Sequence, residues 1–131
     1  MNDFTRRLGM KTVHAADGEC HIEMIVDEFH MSTAERVHGG VFFTMLDTAM
    51  GRAVISNLPE GRGCATIEAK INYFRPVQNG SLRAEAHCVY VSRRTAYAEA
   101  SLIDGEDRVV ARSTGTFMLT DALKQSERER V

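Results

Sequence analysis

Tryptophan is missing from this chain, proline occurs twice and cysteine only three times. Cys20, Cys64 and Cys88 are odd in number and lack the close spacing of a metal-ligand set, so neither a disulfide framework nor a zinc cluster is indicated. They read as small core residues of a reducing compartment, and the chain as cytoplasmic. No run approaches the ~20 apolar residues of a membrane-spanning helix. Residues 1–11 carry charges without the apolar segment of a secretory signal. The formal net charge is -2, with no basic run and no interleaving of basic and aromatic residues, which argues against a nucleic-acid partner. Repeats and low-complexity tracts are also absent.

What is present has ordinary globular proportions, 44% apolar and 26% charged. The 131 residues suffice for one domain with a real core, ending in a charged tail from about residue 122. Asn2 or Asp3 is placed to cap a short helix over 4–8 that Gly9 ends. Residues 14–18 read as a polar loop. Over 19–26, Cys20, Ile22, Met24 and Val26 alternate with His21, Glu23 and Ile25, which predicts a strand. Residues 27–37 show no period. A helix follows from 39 to about 55, stopped by the Pro- and Gly-containing stretch 56–61.

From Gly63 the period becomes two. Ala65, Ile67, Ala69, Ile71 and Tyr73 alternate with Thr66, Glu68, Lys70 and Asn72 in a long strand closed by Pro76. Asn79-Gly80 marks a turn, and Leu82, Ala84, Ala86, Cys88 and Tyr90 form one face of the next strand. Ser92-Arg93-Arg94 turns into a strand over 96–103. Asp104-Gly105 signals a hairpin into a last strand over 108–118. One strand, one long helix and four more strands imply an α+β layering, a single helix against an antiparallel sheet. The many strand alanines, among them Ala84, Ala86, Ala98 and Ala100, let that helix lie close. Open sheet edges favour a homo-oligomer.

The richest stretch is residues 38–50, His-Gly-Gly-Val-Phe-Phe-Thr-Met-Leu-Asp-Thr-Ala-Met. Phe42, Met45, Leu46, Ala49 and Ala53 form an apolar stripe at helical spacing, and Asp47 lies off its centre between Phe43 and Gly51. Such an acid either faces solvent or sits in a small, partly dry cavity. Gly39 and Gly40 open the helix, where backbone N–H groups have no internal partners and the dipole is positive. Glycines there either make a plain turn or let a carbonyl oxygen approach and become an oxyanion.

His38-Gly39-Gly40 followed by Asp47, with Ile71-Asn72-Tyr73-Phe74-Arg75-Pro76 in the meander, resembles the hotdog-fold acyl-CoA thioesterases. The similarity is to the phenylacetate-pathway (PaaI-like) branch, related to the hydroxybenzoyl-CoA thioesterases. The resemblance implies one central helix wrapped by an antiparallel sheet, and hydrolysis of an acyl- or aryl-CoA to a carboxylic acid and CoA. It implies Asp47 as general base or nucleophile and the Gly39 N–H as oxyanion donor, with His38 and Gly40 completing that turn. Thr66 falls where a hydroxyl positions water, although simple alternation puts it on the face with Glu68 and Lys70, so this role needs a bulge or a strand end. Arg93 and Arg94 fall where relatives hold the CoA phosphates, and equally suit a solvated turn. Ser32 stands where the family usually has Asn or Gln, so either it substitutes, or the loop differs in length and another group such as His30 faces the substrate, or this half of the site is weakened. The resemblance calls for no metal and no cofactor. It implies a homodimer, assembled further into a dimer of dimers, in which Asp47 of one subunit meets Gly39 of the other. A hotdog hydratase or dehydratase, and a non-catalytic acyl-CoA binder, are the alternatives.

Overall fold

The computed structural model describes residues 3–121; the charged tail expected from residue 122 and Asn2 lie outside the described residues. Asp3 caps α1 (Phe4–Arg7) by accepting the Arg6 N–H at 2.9 Å, and Gly9 follows at φ 83°. Six strands and a second helix come next: β1 (Lys11–Ala16), β2 (Glu19–Ile25), α2 (Gly39–Ser56), β3 (Gly63–Tyr73), β4 (Ser81–Val91), β5 (Thr95–Asp104) and β6 (Val109–Thr120). The strands form one antiparallel sheet in the order β1-β2-β4-β5-β6-β3. The α2 helix lies across it, burying Val41, Phe42, Met45, Leu46, Ala49, Met50, Ala53 and Val54.

The surface under that helix is made of small residues. Ala84, Ala86, Ala98, Ala100 and Ala111 are buried against it, and β5 alternates buried and half-buried residues without interruption. Gly115 lies under the helix with no room for a side chain: a Cβ there would stand 3.0 Å from Met50 of α2 and 2.9 Å from Phe117. Larger side chains in this row would lift the helix from the sheet.

Two features depart from the sequence reading. The polar loop expected over 14–18 is mostly strand: β1 pairs with β2 through the turn at Asp17 (φ 54°) and Gly18 (φ 81°). None of the β1 residues is buried, so pairing rather than an apolar face holds it, and periodicity is silent there. Gly18 is also pressed against the end of α2, donating its N–H to Ser56 Oγ at 2.8 Å. The second departure is in β3. Thr66 pairs with Phe117 and Glu68 with Thr116, so Ile67 is an extra residue and the side-chain alternation changes phase there. Cys64 and Thr66 face α2 before this bulge; Ala69, Ile71 and Tyr73 do so after it.

The aperiodic segment 27–37 is anchored by a short 3-10 turn, Glu28–His30, and by the buried His30 ring. His30 Nδ1 accepts the Asp27 N–H at 2.9 Å, which leaves Nε2 to donate to the Leu8 carbonyl at 2.7 Å. Its backbone carbonyl accepts the His38 N–H at 2.9 Å, tying the turn to the start of α2. His30 is therefore a strut, with no ring nitrogen left for a ligand. Replacing His30 by Ala removes two part-buried hydrogen bonds, each worth about 0.5–1.5 kcal/mol net, and empties the buried space the ring fills. His30→Ala is expected to lower the urea midpoint by an amount equivalent to at least ~2 kcal/mol; an unchanged midpoint would show that the strut carries no load.

Candidate active site

Two clusters of polar groups lie on α2, one at its start and one two turns along. At the start, His38 is the N-cap and its Nδ1 accepts the Gly40 N–H at 2.8 Å. That bond consumes one of the two glycine donors and fixes His38 as the Nε2-protonated tautomer when neutral. The Gly39 N–H has no acceptor among the described residues. Its carbonyl accepts the Tyr73 hydroxyl at 2.8 Å, and the Tyr73 ring stacks on Phe42 with centroids 5.8 Å apart. A Cβ on Gly39 would touch that ring at 3.4 Å. Partial burial raises the Tyr73 pKa, keeping the phenol a donor.

Tyr73 therefore positions the helix start, a role the sequence reading did not give it. The signal was available, since an aromatic at the end of the strand after the helix is the residue that alternation aims back at the glycines. The cavity beside it, about 380 Å³, is lined by Gly39, Phe42, Tyr73, Phe74, Arg36 and Arg75 among others.

The second cluster is built by the bulge. Asp47 is half-buried, and its Oδ1 accepts the Thr66 hydroxyl at 2.7 Å. Its Oδ2 accepts nothing from the described residues. The pair lines a groove of about 210 Å³ with Gly51, Cys64, Arg52 and Phe117. Arg52 is turned toward the Thr12 hydroxyl. Burial, and then the Asp47 charge, push the Cys64 thiol up to about 11, so it is a neutral thiol near pH 7 and no nucleophile. A carboxylate with one oxygen held and one free, beside an open groove, is equipped to take a proton from water.

The remaining candidates lie apart from these groups. The Ser32 hydroxyl donates to the Arg36 carbonyl at 2.9 Å and accepts the Ala34 N–H, closing its own turn, so its single proton is already committed. Arg93 and Arg94 are exposed on the turn between β4 and β5 and form no ion pair among the described residues. The Arg94 carbonyl accepts the Leu119 N–H, and Leu119 pairs with Cys64, so this turn sits at the sheet end that carries Thr66. Among the described residues no three His, Cys, Asp or Glu converge as a metal site, and no helix is long and apolar enough to cross a membrane.

Helix, glycine turn and meander fall inside a recognised pattern: the sequence profile of the thioesterase superfamily matches residues 35–111. The chain belongs to the thioesterase superfamily. A Halobacterium salinarum protein provisionally named an esterase is 36% identical over 121 residues, which cover 84% of this thioesterase-superfamily chain and 80% of that protein. The solved structure of conserved protein PA5202 from Pseudomonas aeruginosa superposes with a TM-score of 0.87 at 30% identity, covering 91% of this chain and 94% of that one. A variant of the phenylacetic acid degradation protein PaaI from Thermus thermophilus superposes at 0.81, also 30% identical, covering 88% and 96%. The fold is the hotdog fold, and the likeness to PaaI-type thioesterases read from the helix motif is borne out.

In this thioesterase-superfamily chain Gly51 governs the room above Asp47. A Cβ there meets Phe117 at 3.6 Å and Cys64 at 3.9 Å, ordinary contacts, and the backbone is helical. Gly51→Ala is expected to raise stability by up to ~1 kcal/mol through helix propensity and to keep turnover. Gly51→Leu fills the groove and is expected to abolish turnover of acyl thioesters. Denaturation midpoints and initial rates on the two variants check this; full activity in Gly51→Leu would put the substrate elsewhere.

Proposed function

We propose that the protein hydrolyses acyl-CoA thioesters at sites shared between two protomers. The carrying observation is a distance. Gly39 and Asp47 are eight residues apart on one α-helix, about 12 Å at ~1.5 Å per residue. Attack on a carbonyl needs reacting atoms within ~3–3.5 Å. A carbonyl held at the Gly39 N–H is therefore out of reach of a water held by Asp47 of the same chain. Two α2 helices running side by side in opposite directions bring the start of one to the middle of the other. The open edge of β3, with Ile67 and Phe74 more than half exposed beside it, and the exposed Phe43 on α2 support such a seam.

The thioester oxygen binds at the Gly39 N–H and the positive end of α2. Asp47 Oδ2 of the other protomer takes a proton from water while the Thr66 hydroxyl, bonded to Oδ1, holds the carboxylate in place. The water oxygen bonds to the carbonyl carbon, and the electron pair moves to the oxygen at Gly39. Collapse of this intermediate breaks the C–S bond and releases CoA thiolate, a good leaving group that needs little acid assistance. In this reading Arg93 and Arg94 take the phosphates of CoA, supported by their exposure on a turn at the sheet end that carries Thr66 and by the match of paired guanidinium N–H donors to phosphate oxygens.

Thiol release measured across a panel of acyl- and aryl-CoA compounds, with products weighed by mass spectrometry, tests this reading. Hydrolysis is expected, with Asp47→Ala slower by at least ~100-fold in kcat and still folded. Addition of water without thiol release would make it a hydratase. Binding without turnover would make it an acyl-CoA binder.

A further inference from the structure

The cavity beside Gly39 carries more charge than hydrolysis requires. Arg36 lies in the loop before α2 and Arg75 just past the end of β3, and both line this one space of about 380 Å³. Among the described residues neither guanidinium forms an ion pair or a side-chain hydrogen bond. No carboxylate lines the cavity, in a chain whose formal net charge is -2. Its other walls are apolar or aromatic: Phe42, Tyr73, and Phe74, which is 54% exposed. Two unpaired arginines lining one space whose other walls are apolar or aromatic are a recognition pattern for an anion on an apolar stem.

Taking the Gly39 N–H as the carbonyl site, which rests on the proposed hydrolase, the scale of the cavity decides which anion. A space of this volume is about 9 Å across if round, enough for an acyl group but small for a cofactor. The phosphates of CoA hang at the far end of the pantetheine arm, well beyond it. We propose that Arg36 and Arg75 form an acyl subsite selecting acyl groups that carry their own negative charge, a carboxylate at the far end of a short chain, over neutral acyl groups of the same length.

The test uses the full-length protein and two matched six-carbon substrates, adipyl-CoA with a terminal carboxylate and hexanoyl-CoA without one. The same acyl groups on N-acetylcysteamine, which lacks the nucleotide, form the second pair. The wild type is expected to prefer adipyl in kcat/KM on both carriers. Arg36→Gln with Arg75→Gln is expected to cut that preference roughly tenfold or more, mainly through KM, while Arg→Lys at both positions retains part of it. If the double variant does not fold, the single Gln variants are read for the same ratio. A loss that follows the CoA carrier, equal for adipyl and hexanoyl and absent on N-acetylcysteamine, would overturn the acyl assignment and make the arginines a phosphate contact. An unchanged ratio in active variants would overturn the subsite altogether. A wild type inert on all four thioesters would instead overturn the hydrolase reading, and this inference with it.

Discussion

A helix can lie close on a sheet only where the sheet offers small side chains, and the placement of α2 rests on that closeness. Ala84, Ala86, Ala98, Ala100 and Gly115 form the floor, and Met45, Leu46, Ala49, Met50 and Ala53 press onto it with no solvent-exposed surface. Burial of that seam contributes roughly 25 cal/mol per Å² of apolar surface removed from water, enough to hold a helix whose ends are occupied with polar work. Because the floor is rigid, the two edges of the helix are fixed relative to β3. That strand then supplies a hydroxyl to Asp47 at one end and a phenol to Gly39 at the other.

The bulge at Ile67 makes both contacts possible. A regular strand aims every second side chain the same way, so Thr66 and Tyr73, seven residues apart, would point to opposite faces. One extra residue changes the parity between them, and both reach the helix. The same device exposes Ile67 on an edge strand with no partner among the described residues, beside the groove proposed to be completed by a second protomer. Local distortion, proposed active groove and proposed interface are thus one feature of β3.

Much of this was legible in the residues. The apolar stripe of α2, the glycine turn, the alternation of β2, β4 and β5 and the Asp104-Gly105 hairpin all follow from spacing; their order gave the α+β layering, and the family resemblance gave the hotdog fold. What was not legible is set by partners distant in sequence. β1 is held by pairing, without a buried face, although Asp17-Gly18 carries the same turn signal as Asp104-Gly105. The β3 phase change depends on register with β6, so alternation alone put Thr66 on the wrong face and could not say whether a bulge or a strand end would turn it. The burial of His30 against the Leu8 carbonyl is a tertiary fact that composition does not encode, while the commitment of the Ser32 hydroxyl is a local turn in a segment without a period.

The claim on which the mechanism turns is that Asp47 and Gly39 act across protomers, and subunit complementation reaches it most directly. One chain carries Asp47→Ala. The other carries Gly39→Val, which adds two methyls to a Cβ already touching the Tyr73 ring at 3.4 Å and is expected to block the helix start. Differently tagged and co-expressed, the heterodimer is purified through both tags and assayed on acyl-CoA. Shared sites give it one intact site, Asp47 of the Gly39→Val chain with Gly39 of the Asp47→Ala chain, and about half the wild-type rate per dimer. A heterodimer as inactive as each parent would contradict the shared site.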